Sequence, residues 1–161
     1  MNRGRCRIRA VELVFVGLQA FQLLFMLLHD WIPIGRLNDL AGVRSQNSRG
    51  ALLRDTAINA TPALATFGVS LAFVGRPYPA WAKTLLIGVL GALVAGEMLA
   101  WWVPYFAGTT QTRVDRYRAM FGRTHAFLRE RNGITPNTLH VALHATTMLS
   151  LAVAVWLARI K

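Results

Sequence analysis

The chain has 161 residues, the length of one domain, and 54% of them are hydrophobic. The apolar residues come in long blocks, which is typical of a membrane protein and argues against a soluble basic domain. Lys and Arg number 18 against 7 Asp and Glu, and only Lys83 and Lys161 are lysines. This charge indicates contact with anionic lipid headgroups, and we expect no nucleic-acid partner. The single cysteine, Cys6, excludes an intrachain disulfide.

Four apolar blocks are long enough to cross a bilayer as helices, which takes about 20 residues for a core roughly 30 Å thick. We therefore expect one membrane domain over residues 1–161, folded as an all-α integral membrane protein. Its expected architecture is a four-transmembrane-helix up-down bundle. The expected crossings are residues 10–28, 56–75, 84–103 and 138–160.

The third connector, residues 104–137, contains an amphipathic segment. Apolar side chains over residues 111–131 fall on one helical side, which predicts a helix lying in the headgroup plane. Asn132-Gly133 is a natural helix stop. Guanidinium groups suit bidentate phosphate contact, so the arginines of this segment are candidates to bind a lipid headgroup. These candidates are Arg113, Arg116, Arg118 and Arg123.

Two crossings carry polar stripes at helical spacing. Such stripes should face other helices or water, because polar groups exposed to lipid cost free energy. The first helix contributes Glu12, Gln19, Gln22 and His29, and the second contributes Asn59, Thr66 and Ser70. Glu12 is also placed to pair with Arg9, three residues before it on the helix.

Ionisable groups gather at one end of the expected bundle. Up-down topology puts both long connectors, the first over residues 29–55 and the other over residues 104–137, on the same side. The helical rise places Glu97 and His144 about 10 Å below that side. His140 lies one turn nearer the surface. We expect a pocket there, and its candidate residues are Glu97, His140, His144, His29, Asp30, Asn59, Trp101 and Tyr105.

Three functions fit such a pocket. It could bind or transport a small cationic or amphiphilic ligand with proton linkage, since a desolvated carboxylate and a histidine exchange protons readily. Alternatively, Glu97, His140 and His144 would ligate zinc or non-haem iron, or His29 would pair with His140 or His144 on haem, in an enzyme acting on a lipid-like substrate. In the third case the polar groups only pair with each other, in a structural subunit of a membrane complex. We favour binding or transport.

Arginine distribution bears on orientation in the cell membrane. Residues 1–9 carry four arginines and no acid, so the positive-inside rule favours cytoplasmic termini. The long connectors carry a comparable charge, and that near balance also allows an antiparallel homodimer. The high ratio of arginine to lysine suggests a GC-rich bacterial source.

Overall fold

The computed structural model describes residues 3–160, with side chains from residue 7 onward. Regular structure in this range is helical, apart from one isolated bridge between Arg131 and Ile134, which confirms the all-α prediction. The helices are α1 (Arg3–Leu28), α2 (Leu40–Gln46), α3 (Arg49–Ala72), α4 (Ala80–Glu97), α5 (Val103–Ala107), α6 (Gln111–Phe121) and α7 (Thr138–Ile160).

Three helical segments within the described range are long and apolar enough to cross a membrane, namely Arg7–Leu28, Ala80–Ala107 and Thr138–Ile160. The chain is thus a membrane protein by this measure. The second expected crossing, now within α3, does not reach the same hydropathy. Its first turns carry Arg49, Arg54 and Asp55, and Asn59 follows one turn later.

The four long helices form a closed arrangement. α1 packs against α3 and α7, and α4 packs against the same two helices. The core of one end is apolar: Phe15, Leu90 and Leu157 are buried there beside Tyr78 of the α3–α4 turn. At that end the Glu12 carboxylate accepts the backbone N–H of Gly75 at 3.0 Å, a contact that the sequence does not predict.

The polar stripe of α1 faces inward, as expected. Glu12, Gln19 and Gln22 are at most 1% exposed. Gln19 donates through Nε2 to Ser70 Oγ of α3 at 2.7 Å, and Gln22 donates to Ser150 Oγ of α7 at 2.8 Å. These bonds fix the register of α1 against its two neighbours.

The two long connectors pack on each other, which confirms that they lie on the same side of the helices. α2 contacts α6, and Val43, Leu52 and Met120 form a small apolar core between the connectors. Arg123 Nε donates to Asp39 Oδ2 at 2.7 Å across the same interface.

The helix expected over residues 111–131 ends ten residues early, at Phe121. Thr124 Oγ1 donates to the Phe121 carbonyl and so satisfies one group of the last turn. His125 then donates its backbone N–H to the Arg36 carbonyl of the first connector, which pulls the chain away from the helix axis. The expected stop comes later, where Asn132 and Gly133 both have positive φ, in a turn and not at a helix end.

Candidate functional site

A cavity of about 310 Å³ lies at the connector end of the long helices. Six of the eight expected pocket residues line it: His29, Asn59, Glu97, Trp101, His140 and His144. The other lining residues, which sequence analysis missed, are small or apolar: Phe25, Met26, Ala92, Leu93, Gly96, Ala100 and Leu143. Helical spacing could have predicted two of them, because Phe25 lies one turn before His29 and Met26 lies one turn before Asp30.

The mouth of the cavity lies between α3 and α4. Asn59 of α3 and Ala92 and Gly96 of α4 line the cavity and are exposed. A Cβ atom at Gly96 would meet no atom within 4 Å, so no neighbouring helix covers this position. The opening therefore faces sideways from the helices and is bordered by small side chains.

Among the described residues, Glu97 is the only acidic one that lines the cavity. Its Oε1 atom accepts a hydrogen bond from Thr147 Oγ1 of α7 at 2.7 Å. Its Oε2 atom is buried and finds no hydrogen-bond partner among the described residues. A buried carboxylate oxygen without a donor is costly, so this position is suited to a proton or a cation.

His140 stands inside a group of aromatic rings. Its ring centroid lies 4.5 Å from that of Trp101, 5.2 Å from Phe121, 5.5 Å from Phe25 and 5.8 Å from His29. Its Nδ1 donates to the Asn137 side-chain oxygen at 2.7 Å, and the same oxygen caps α7 by accepting the backbone N–H of His140. Because the Asn137 oxygen accepts the Nδ1–H hydrogen bond, a neutral His140 carries its proton on Nδ1 and presents an acceptor at Nε2.

His144 has the opposite tautomer. The Trp102 indole N–H donates to its Nδ1 at 3.1 Å, and an indole nitrogen only donates. The ring is buried, at 3% exposed, and a neutral His144 therefore carries its proton on Nε2. The two histidines of α7 thus present one acceptor and one donor.

His29 and Asp30 form a pair at the rim. His29 donates through Nδ1 to the Phe25 carbonyl at 2.8 Å, and its Nε2 lies 3.3 Å from Asp30 Oδ1. Burial raises the pKa of Asp30 above its ordinary value, and the nearby His29 opposes that rise.

Tyr105 lies apart from this site, since its hydroxyl donates to the Arg129 carbonyl and it does not line the cavity.

A π-helical segment, Met98–Trp102, directly follows Glu97 and joins α4 to α5. The Val103 N–H bonds the Met98 carbonyl, five residues back, and Pro104 has no N–H to offer. The carbonyls of Leu99 and Ala100 are therefore left for other donors. The segment directs Trp101 towards His140 and Trp102 towards His144.

The four candidate headgroup-binding arginines all contact the chain itself. Arg113 Nη2 donates to the carbonyls of Ala100, at 2.8 Å, and Leu99, at 3.3 Å, so this guanidinium serves the π segment. The other three are exposed and contact polar side chains of the connectors. Arg116 bonds Asn47, Arg118 bonds Glu130 and Arg123 bonds Asp39.

The expected metal-binding set is not assembled. Between residues 3 and 160, no group of three or more His, Cys, Asp or Glu side chains is placed to hold a metal ion. The Trp101 ring lies beside both histidines, and Thr147 holds the Glu97 carboxylate on α7. The expected haem ligand His29 has both ring nitrogens engaged, with Phe25 and Asp30, so it does not fit an axial ligand.

Comparison with known proteins adds no assignment to this geometry. No family model, curated protein or solved structure matches the chain.

Proposed function

We propose that this protein binds, and carries across the membrane, a small cationic amphiphile in the cavity beside Glu97. The observation that supports the proposal is the buried Oε2 atom of Glu97, which lacks a partner among the described residues and belongs to the only acidic residue of the lining. A cation there would gain the carboxylate as counter-charge. The cavity volume, about 310 Å³, is at the small end of the range of ligand sites.

The aromatic rings support a cation rather than a neutral polar ligand. Trp101 and Phe25 line the cavity together with three imidazoles. Indole and phenyl faces attract a cation within about 6 Å, and an apolar substituent packs against the same faces. A quaternary ammonium or an alkylammonium group bearing a short apolar chain combines both properties.

Membrane insertion gives the ligand a route to the site. We infer that α3 is a fourth crossing, because its 24 residues span about 36 Å and it packs against α1 and α4. Its charged residues, from Arg49 to Asp55, would then lie among the headgroups. In that arrangement the mouth between α3 and α4 opens towards lipid, where amphiphiles concentrate, and both termini lie on one side, which the N-terminal arginines place in the cytoplasm.

Proton linkage follows from a shared carboxylate. A proton and a cation compete for Glu97, so uptake of the ligand on one side would release a proton and its discharge would take one up. We therefore expect the cation and the proton to cross the membrane in opposite directions, so that a proton gradient drives the exchange. Transport should stop when Glu97 cannot ionise.

The test compares a cation with its neutral isostere. Benzyltrimethylammonium and neopentylbenzene share a shape, and tryptophan fluorescence of the purified protein would report binding of each. Glu97→Gln should weaken cation binding at least tenfold, or about 1.4 kcal/mol, because the cation loses its counter-charge. Neopentylbenzene binding should stay unchanged. Glu130→Gln, an exposed carboxylate outside the cavity, is the charge-matched control.

The competing function is that of a structural subunit. It is favoured by the interhelical bonds of Gln19, Gln22 and Thr147, since such bonds hold membrane helices together. Equal cation affinity in wild type and Glu97→Gln, or no affinity in either, would reject the binding proposal in favour of this one.

A further inference from the structure

A second, larger groove lies outside the cavity, where the first connector meets α3. Its volume is about 600 Å³, and it is lined by Trp31, Arg44, Asn47, Ser48, Arg49 and Leu52. The groove lies between the end of α2 and the start of α3. None of the described side chains that line it is acidic.

The two arginines of the groove are exposed, and their guanidinium groups have no partner among the described residues. Within the part of the chain that the structure describes, neither Arg44 nor Arg49 makes a side-chain hydrogen bond or ion pair. The four arginines singled out from the sequence are, in contrast, all bonded to other residues. One of them, Arg116, donates to Asn47 Oδ1 at 2.8 Å and so brings a third guanidinium to the rim of the groove.

The apolar part of the groove lining is Trp31 and Leu52. Trp31 donates its indole N–H to Thr56 Oγ1 at 3.0 Å and packs against Val43, Leu52 and Met120. Trp31 also lies three residues beyond the membrane-spanning candidate Arg7–Leu28. Tryptophan at that depth is typical of the membrane–water interface.

We propose that this groove binds the phosphate group of an anionic phospholipid. Arg44 and Arg49 contact the phosphate, because planar guanidinium groups match its oxygens in bidentate fashion. The glycerol and upper acyl region lie against Trp31 and Leu52. The shared chemistry is that of a phosphate ester, and the apolar wall at the interface selects a lipid over a free phosphate.

The test is lipid retention by the detergent-purified protein in native mass spectrometry, with phosphatidylglycerol and phosphatidylcholine as probes. The wild type should retain phosphatidylglycerol preferentially. Arg44→Gln/Arg49→Gln should weaken that binding about 25-fold, because each direct contact between a guanidinium group and the phosphate contributes roughly fivefold. Arg36→Gln/Arg54→Gln, which removes the same charge outside the groove, should stay within about threefold of wild type, because neither side chain lines the groove and exposed charges at a distance are screened.

Three results would overturn the proposal. Equal weakening in both double variants would show that only bulk charge attracts the lipid. Equal retention of the two lipids would show that the groove does not select an anionic phospholipid. Displacement of phosphatidylglycerol by millimolar inorganic phosphate would assign the groove to a soluble phosphate instead. Arg44→Lys/Arg49→Lys, which keeps the charge without the planar fork, should bind with intermediate affinity and guards against loss of folding as an explanation.

Discussion

Arg113 of α6 donates to the carbonyl of Ala100, an oxygen that Pro104 leaves without its helical partner. The Tyr117 hydroxyl donates to the same carbonyl, and Arg113 lies over the Tyr117 ring at 5.4 Å. Two side chains of the connector helix thus complete the backbone hydrogen bonding of a membrane helix. The π segment beside Glu97 is therefore coupled to the docking of α6.

Arg113→Met is expected to destabilise the docked α6 by about 1–3 kcal/mol, because the Leu99 carbonyl loses its side-chain donor and the Ala100 carbonyl keeps only that of Tyr117. Hydrogen exchange of the α6 amides should accelerate by the corresponding factor, while exchange in α7 changes little. Arg118→Met on the same helix is the control, since its partner Glu130 is half exposed and the pair is long, at 3.4 Å. Similar exchange in the two variants would mean that the carbonyl contact contributes nothing.

Pro104→Ala tests the origin of the π segment. The new N–H can bond the Ala100 carbonyl and allow regular α-helix, which would rotate the following residues by about 100° relative to the present arrangement. The Trp102–His144 hydrogen bond should then be lost. Indole N–H resonances of Trp102 in NMR would report this, and an unchanged resonance would show that the π segment does not depend on the proline.

Part of this site follows from the sequence alone. Glu97, His140 and His144 could be placed at one depth because helical rise is fixed and up-down topology alternates direction. The buried face of α1 was predictable in the same way from the spacing of Glu12, Gln19 and Gln22. These inferences need only periodicity, and the structure places all of these residues where periodicity predicts.

Other features depend on tertiary contacts that periodicity does not carry. The π segment needs donors from α6, eleven or more residues further along the chain, and it alone brings Trp102 to His144. The end of α6 at Phe121 depends on a bond between His125 and Arg36, which belong to different connectors. Packing also decides which arginine side chains find a partner in the described chain. The sequence alone could therefore not distinguish Arg44 and Arg49 from the other arginines.

The Gln22–Ser150 pair predicts an asymmetric response to mutation. Ser150→Ala should destabilise the protein by about 1 kcal/mol, because the buried Gln22 amide loses its acceptor. Gln22→Leu combined with Ser150→Ala should recover most of that loss, since no buried polar group is then left unpaired. Thermal unfolding in detergent checks the order. A double variant less stable than either single variant would contradict it.

Gly42 is expected to set the distance between α2 and α6. A Cβ atom at this position would lie 2.5 Å from the Ala119 carbonyl oxygen and 3.0 Å from that of Met120, both of them backbone atoms. Gly42→Ala should therefore separate the two connectors, at a cost of about 1–3 kcal/mol. Gly50→Ala is the matched control: it meets no atom within 4 Å and should gain up to about 1 kcal/mol from helix propensity. Hydrogen exchange in α2 distinguishes the two, and equal protection would refute the close approach.

The contact between Asp39 and Arg123, which joins the two connectors, should weaken in acid. The backbone N–H of Gly42 is the main cause that lowers the pKa of Asp39 below its ordinary value, and the Arg123 guanidinium adds to this effect. A lowered pKa means that folding favours the carboxylate, so its contribution is complete above the pKa of the unfolded chain. It is lost as the pH falls below about 4 and through the folded pKa.

The difference in stability between wild type and Asp39→Asn isolates the contribution of this carboxylate and is the quantity to follow. Asp39→Asn should be less stable than wild type at neutral pH, and the gap should close as the pH falls below about 4. The indole N–H resonance of Trp31, which packs on the connector core, is a suitable local probe of unfolding in NMR. Asp115→Asn, on the exposed side of α6, should keep the wild-type profile. A constant gap between wild type and Asp39→Asn across this range would show that the charge of Asp39 does not hold the connectors together.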